Sequence, residues 1–121
     1  MLILDIGGEG RHANAWNVNP SPVKTLGRDR GNPIPNWLPG RASEIPFPDR
    51  VVDLVIVERA PLMRAAILEI VRVVVLDGTI ILRHFHGSGS HPHEFARATI
   101  GGKCTTRTST IGNQTLQRNP I

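Results

Sequence analysis

The chain has 121 residues, of which 40% are hydrophobic and 4% aromatic, and carries a formal charge of +4. That is the size of one domain, residues 1–121, with enough material for a core. No apolar run approaches the ~20 residues of a membrane-crossing helix. The apolar start Met1–Leu4 is too short, and lacks the basic leader, for an export signal. The lone Cys104 rules out an intramolecular disulfide and fits a reducing compartment, so a cytoplasmic location is expected. Twelve of the fourteen cations are arginine. They are scattered from Arg11 to Arg118 with few aromatics between them, unlike the clustered basic face and stacking platform of a nucleic-acid binder.

In chain order, residues 1–6 read as a strand. Residues 7–13 then form a glycine-rich turn, and Ala15–Asn19 a second strand stopped by Pro20. Six prolines and glycines among residues 20–36 (Pro20, Pro22, Gly27, Gly31, Pro33, Pro35) predict an ordered loop rather than a helix. A short third strand is expected at Asn36–Leu38. Val51–Glu58 is apolar on both faces, as in a parallel strand buried from both sides. Pro61 is expected to open a helix over Leu62–Val74. Asp77-Gly78 signals a turn before a strand over Thr79–Arg83. Strand, helix, turn and strand make a βαβ crossover. A short helix is expected at His91–Thr99. Lys103–Ile111 and Gln114–Ile121, joined by Gly112-Asn113, predict a closing β-hairpin. The fold class is therefore α/β: a Rossmann-like, mostly parallel sheet with a C-terminal antiparallel hairpin.

These pieces resemble the class I S-adenosylmethionine-dependent methyltransferases. Leu4-Asp5-Ile6-Gly7-Gly8-Glu9-Gly10 is similar to the first motif of that family, an acid followed by glycines. Glu44-Ile45-Pro46-Phe47-Pro48-Asp49 followed by Val52-Asp53-Leu54-Val55 is similar to its segment leading into the fourth strand. Ile67–Val73 and Asp77-Gly78-Thr79 look like its next helix and fifth strand. The resemblance covers nearly the whole chain and implies S-adenosylmethionine as cofactor and an unidentified, small methyl acceptor. It would place Asp5, Gly7, Gly8 and Gly10 at the methionine portion, Asn19 at the ribose, and Ala42 and Ser43 at the adenine edge. No catalytic side chain is singled out, because methyl transfer needs mainly alignment of acceptor and sulfonium. Glu9 and Arg11 stand where the family has glycine, Asn19 replaces its ribose-gripping acid, and Arg41 replaces its adenine-side acid. A chain with these departures also fits a non-catalytic dimeric interaction protein that keeps the fold without the cofactor.

Too few residues separate Gly10 from Pro20 for a full helix plus a strand, so helices are expected to be reduced on one sheet face. An uncovered apolar face predicts a homodimer. Glu58, at the carboxyl edge of its strand, is a candidate for contacting a cofactor amine or a substrate, with Arg59 as charge partner. Gly8–Ala13 also satisfies a dinucleotide fingerprint, with Asp29 at the distance of a ribose acid, but the asparagines and Pro20 that follow leave no helix for it. Finally, His84, His86, His91 and His93 fall within ten residues and are candidate ligands of a metal such as zinc, or a general base for an acceptor.

Overall fold

The computed structural model describes residues 1–58, 60–85, 93–101, 104–108 and 113–118. Seven strands form one sheet: β1 (Ile3–Ile6), β2 (Trp16–Asn19), β3 (Trp37–Pro39), β4 (Val52–Val57), β5 (Val74–Phe85), β6 (Cys104–Thr108) and β7 (Asn113–Arg118). Their order is β3-β2-β1-β4-β5-β7-β6. β1 to β5 pair in parallel, while β7 runs antiparallel to both β5 and β6. The order reverses between β1 and β4, and in an open parallel sheet that switch point places a crevice at the strands' carboxyl ends.

Two helices are described, α1 (Arg64–Val73) and α2 (Glu94–Ile100). α1 buries Ala66, Ile67, Ile70 and Val73, the i, i+1, i+4, i+7 stripe of a one-sided helix. These residues, with Ala96 and Ile100 of α2, join Leu4, Ile6, Val18, Val55, Val57, Ile80, Leu82 and Leu116 in one core. Both helices thus lie on one face of the sheet. Among the described residues no helix links β1 to β2, β2 to β3 or β3 to β4; glycine turns and proline loops do so instead. The opposite face carries Ile3, Leu54 and Ile81, which are only half-buried. The reduction of helices on one face is as expected from the short Gly10–Pro20 interval.

Some expectations need correction. Pro61 does not open the helix. The N-cap is Met63, extended at φ −83° and ψ 157°, so Pro61 belongs to the connection before it. Asp77-Gly78 does not separate two elements: β5 starts directly at the end of α1 and runs through it. The turn propensity is absorbed as a bulge, where register jumps from Val52↔Val74 to Leu54↔Thr79. Gly78 is needed there, because a Cβ would come within 2.7 Å of Val74 Cγ2 and 3.0 Å of the Asp53 carbonyl oxygen. The hairpin strands are described over Cys104–Thr108 and Asn113–Arg118, so Asn113 belongs to β7 and not to the turn; the rest of the expected spans, with Gly112, lies outside the described residues.

The segment entering β4 is held by a polar clamp. Arg72 donates from Nη1 to the Phe47 carbonyl and to Asp49 (both 2.8 Å), from Nη2 to the Ile45 carbonyl (3.0 Å), and from Nε to Glu69 (2.5 Å). The Ile45 amide donates to Glu69 Oε1 at 3.0 Å. Hydrogen bonding to Arg72 holds the Glu69 carboxyl below its usual range, and the same bonds push Arg72 further up.

Candidate functional site

The glycine turn after β1 closes on its own backbone. Gly7 N donates to the Val18 carbonyl (2.8 Å), Gly8 N to the Asp5 carbonyl (3.2 Å) and Gly10 N to Asn17 Oδ1 (3.3 Å). Gly7 sits at φ +75° and Gly10 at φ +108°, where other residues are strained. Gly8 is required for space: a Cβ would stand 2.3 Å from Asn17 Oδ1 and 2.4 Å from Asp5 Cγ. The three amides are thus committed internally, and the glycines serve a ligand by leaving bare backbone.

Two cavities flank this turn. One, of about 440 Å³, opens toward the helical face and is lined by Ile6, Gly7, Val18, Ala42, Ser43 and Met63 among others. It is largely apolar, with Arg41 at its rim. The other, of about 430 Å³, opens on the opposite side and is lined by charge: Asp5, Glu9, Asp29 and Glu58 against Arg11, Lys24 and Arg28. Leu26 of the 20–36 loop borders both. That loop is drawn over the turn by Glu9, whose carboxylate accepts from the Thr25 amide (3.0 Å) and hydroxyl (2.6 Å). Glu9, standing where the family has glycine, ties down the loop.

In the charged cavity Glu58 is a hub. Its Oε1 pairs with His12 Nε2, and its Oε2 with Arg11 (3.2 Å) and Arg83 (3.6 Å). Burial pushes the Glu58 carboxyl up, but the His12 hydrogen bond and the charges of His12, Arg11 and Arg83 together hold it below its ordinary value. Asp5 is buried at 3% exposure. Burial, aided by the Glu58 charge, raises its pKa to about 6 against the pull of His12 and Arg11.

The residues expected at the site divide as follows. Asp5, Gly8, Gly10 and Glu58 line the charged cavity, and Gly7, Ala42 and Ser43 the apolar one. Asn19 lines neither. Its amide is spent on structure, donating to the Gly8 carbonyl (3.2 Å) and accepting from Ser21 N (2.9 Å). His84 and His93 do meet: His84 Nδ1 and His93 Nε2 are 3.0 Å apart, and His84 Nε2 faces the Ala60 carbonyl at 2.9 Å. A carbonyl only accepts, which assigns the proton to His84 Nε2 and leaves Nδ1 to accept from His93. Burial holds His84 below the usual imidazole pKa. In this arrangement the pair fastens β5 to the start of α2 and to the residues after β4. His86 and His91 lie outside the described residues, as does Arg59. Sequence reasoning missed His12, Arg11 and Arg83 as partners of Glu58. The available signal was a histidine a few residues beyond the β1 acid, within a turn too short to carry it far.

No protein-family model and no curated protein sequence matches the chain. Solved structures do. The YcgJ protein of Bacillus subtilis is 22% identical and superposes with a TM-score of 0.53, covering 70% of this chain and 44% of its own. The Haloferax volcanii complex of the Trm112 methyltransferase activator and a proposed methyltransferase matches over 99% of this chain and 82% of the other, at 16% identity and TM-score 0.69. A TehB-like S-adenosylmethionine-dependent methyltransferase of Corynebacterium glutamicum gives 14% identity and TM-score 0.63 over 99% and 79%. The chain therefore spans less than half the length of the first of these and most of the other two. With the strand order and reversed terminal pair described above, they show that this chain has the class I methyltransferase fold. No described helix is long and apolar enough to cross a membrane.

Proposed function

We propose that the chain binds S-adenosylmethionine and transfers its methyl group to a small acceptor. The observation that carries this reading is the pair of cavities meeting at the glycine turn, at the switch point of the sheet. One is apolar and the other charged, as a ligand with an aromatic nucleoside at one end and an amino acid at the other requires. The adenine lies in the apolar cavity beside Ala42 and Ser43, and the methionine portion passes the bare backbone of Gly7, Gly8 and Gly10 into the charged one. Asp5 and Glu58 supply its negative side. The ribose, which resemblance assigned to Asn19, meets an amide already hydrogen-bonded, and backbone groups of the loop take that role. The likeness to methyltransferase structures supports this reading at the level of the fold.

Calorimetric titration with S-adenosylhomocysteine tests it. Binding in the micromolar range is expected, and Gly8→Ala abolishes it by placing a methyl group on Asp5. No heat up to millimolar ligand overturns the reading and favours the non-catalytic interaction protein, for which the Glu9–Thr25 tie and the committed Asn19 speak.

The half-covered sheet face has a second copy of this chain as its partner in this reading. Ile3, Leu54, Thr79 and Ile81 of that face are uncharged and half-buried, a patch that a second copy would cover. The neighbour solved with an activator bound supports partnering by this fold. Light scattering at micromolar concentration is expected to give a dimer, weakened by Leu54→Lys; a monomer overturns it.

A further inference from the structure

Three donor-bearing side chains from three parts of the chain converge at the switch point. Asp5 is the penultimate residue of β1, His12 lies in the turn after it, and Glu58 follows β4. One ligand atom from each lies within 4.8 Å of the other two. Histidines of the 84–93 segment drew attention in the sequence, but this cluster lies elsewhere.

Two observations point to an ion. The first concerns Asp5, which is 3% exposed and yet lines the 430 Å³ cavity. Only burial and the charges of His12, Glu58 and Arg11 act on its carboxyl, and among the described residues no hydrogen bond reaches it. A buried carboxyl with no donor either keeps its proton or takes up a positive group from the cavity that it lines. The second is the division of labour at Glu58. Both arginines sit on Oε2, and Oε1 faces His12 alone. The arginine side chains are 51% and 42% exposed, free to turn outward when a cation arrives.

We propose that Asp5, His12 and Glu58 hold one divalent first-row transition cation. An imidazole with two carboxylates suits Zn²⁺, Mn²⁺ or Fe²⁺, whereas Mg²⁺ and Ca²⁺ favour all-oxygen sets and Cu⁺ favours sulfur. Three protein ligands leave further positions open to the cavity, as in metal sites that bind a water or substrate atom. Donors on a shared ion stand ~2.1 Å from it, so the cluster has to tighten from its present spacing, with His12 and Glu58 parting to admit the ion. An ion there makes the water or acceptor oxygen it binds more acidic. The competing occupant is the ammonium group of a ligand. It would satisfy Asp5 and Glu58 and could donate to the His12 ring as well, so titration with the metal ion alone, free of any amine ligand, separates the two.

The site is tested without any methyl donor, on tag-free protein stripped with EDTA. MnCl₂ is titrated with the free ion followed by electron paramagnetic resonance, and ZnCl₂ by calorimetry. One ion per chain is expected. His12→Ala and Glu58→Gln are each expected to weaken binding by at least about tenfold, the scale of losing support at a metal site. Where circular dichroism shows His12→Ala unfolded, His12→Gln is used. Absence of Mn²⁺ and Zn²⁺ binding by folded protein up to millimolar ion overturns the proposal. So does binding that the His12 and Glu58 variants leave unchanged. The proposed function sets a ligand's positive end on the same two carboxylates, so each titration is run without the other ligand, and a failure of one is distinguishable from a failure of the other.

Discussion

The β4–α1–β5–α2 half of the molecule and the β1–β2–β3 half are held together by different physics. In the first, apolar strands lie under two helices, and Val55, Val57, Ile70, Val73 and Leu82 are almost wholly removed from water. Burial of that kind is non-directional and tolerates small shifts. In the second there are no described helices, and strands of three or four residues are spaced by loops. Leu4, Ile6 and Val18 reach the same core, but the loops around them are ordered by named hydrogen bonds: Asn17 to Pro35 and Gly10, Asn19 to Gly8 and Ser21, Glu9 to Thr25, Trp37 to the Asn19 carbonyl. Directional bonds hold a shape open where apolar packing would fill it, so both cavities border the second half. The lesson is that the site can be altered with small stability costs, while the core cannot.

The comparison breaks most sharply if a core truncation is cheap. Ile70→Ala on α1 is expected to cost about 3–4 kcal/mol, transfer plus cavity, in chemical denaturation. A cost under about 1 kcal/mol would mean the helices contribute little to the core.

Next comes Asp5→Asn, measured with metal chelated. The native carboxyl holds its proton up to about pH 6, while an unfolded one releases it near pH 4. Between those values the native state binds more protons than the unfolded one, so stability falls as pH rises and stays lower above pH 6. Two pKa units correspond to about 3 kcal/mol. Asp5→Asn removes that fall, so the variant is more stable than the parent at pH 7 and near parity at pH 4. Glu58 acts with the opposite sign: its lowered pKa gives stability that is present above about pH 4.5 and lost as pH falls below it. The Asp5 effect is therefore read between pH 4.5 and 6.5. A variant that is less stable at pH 7 would show that Asp5 is a structural member of the second half.

Arg72→Ala removes the clamp on the 45–50 segment and is expected to cost about 2 kcal/mol, since charge-assisted bonds to backbone carbonyls are lost together. The smallest effect is expected from Thr25→Val. It should lower stability by under about 1 kcal/mol, because it removes only the exposed hydroxyl bond to Glu9 and keeps the one from the backbone amide. Its main readout is proteolysis of the 20–36 loop, which should become faster. A loss as large as that of Ile70→Ala would place the loop within the cooperative core.

Much of the fold was legible because it depends on local periodicity. Val52–Val57 announced a buried strand by being apolar at every position but Asp53, and α1 its stripe by helical spacing. The Gly10–Pro20 interval predicted the missing helix by length alone. Local propensity misled where tertiary pairing overrode it: Asp77-Gly78 reads as a turn, yet pairing of β5 with β4 and β7 carries the strand through it as a bulge. The site was legible in part. Asp5 and the glycines were singled out by their spacing, and they do line the two cavities. Neither the use of Asn19 as a bracket nor the turning of Glu9 onto Thr25 could be read, because each depends on a partner many residues away.

The sequence by itself determined the class of sheet, its crossover, its missing helices and the bare backbone at the switch point. These follow from side-chain periodicity and from where glycine and proline permit the chain to bend. Only the tertiary structure decided which charged groups meet. His12, Glu58, Arg11 and Arg83 come from the β1 turn and the ends of β4 and β5, and the switch of strand order sets β4 beside β1. Electrostatic partnership depends on distance in space, and a one-dimensional pattern encodes that distance only after the sheet has been ordered.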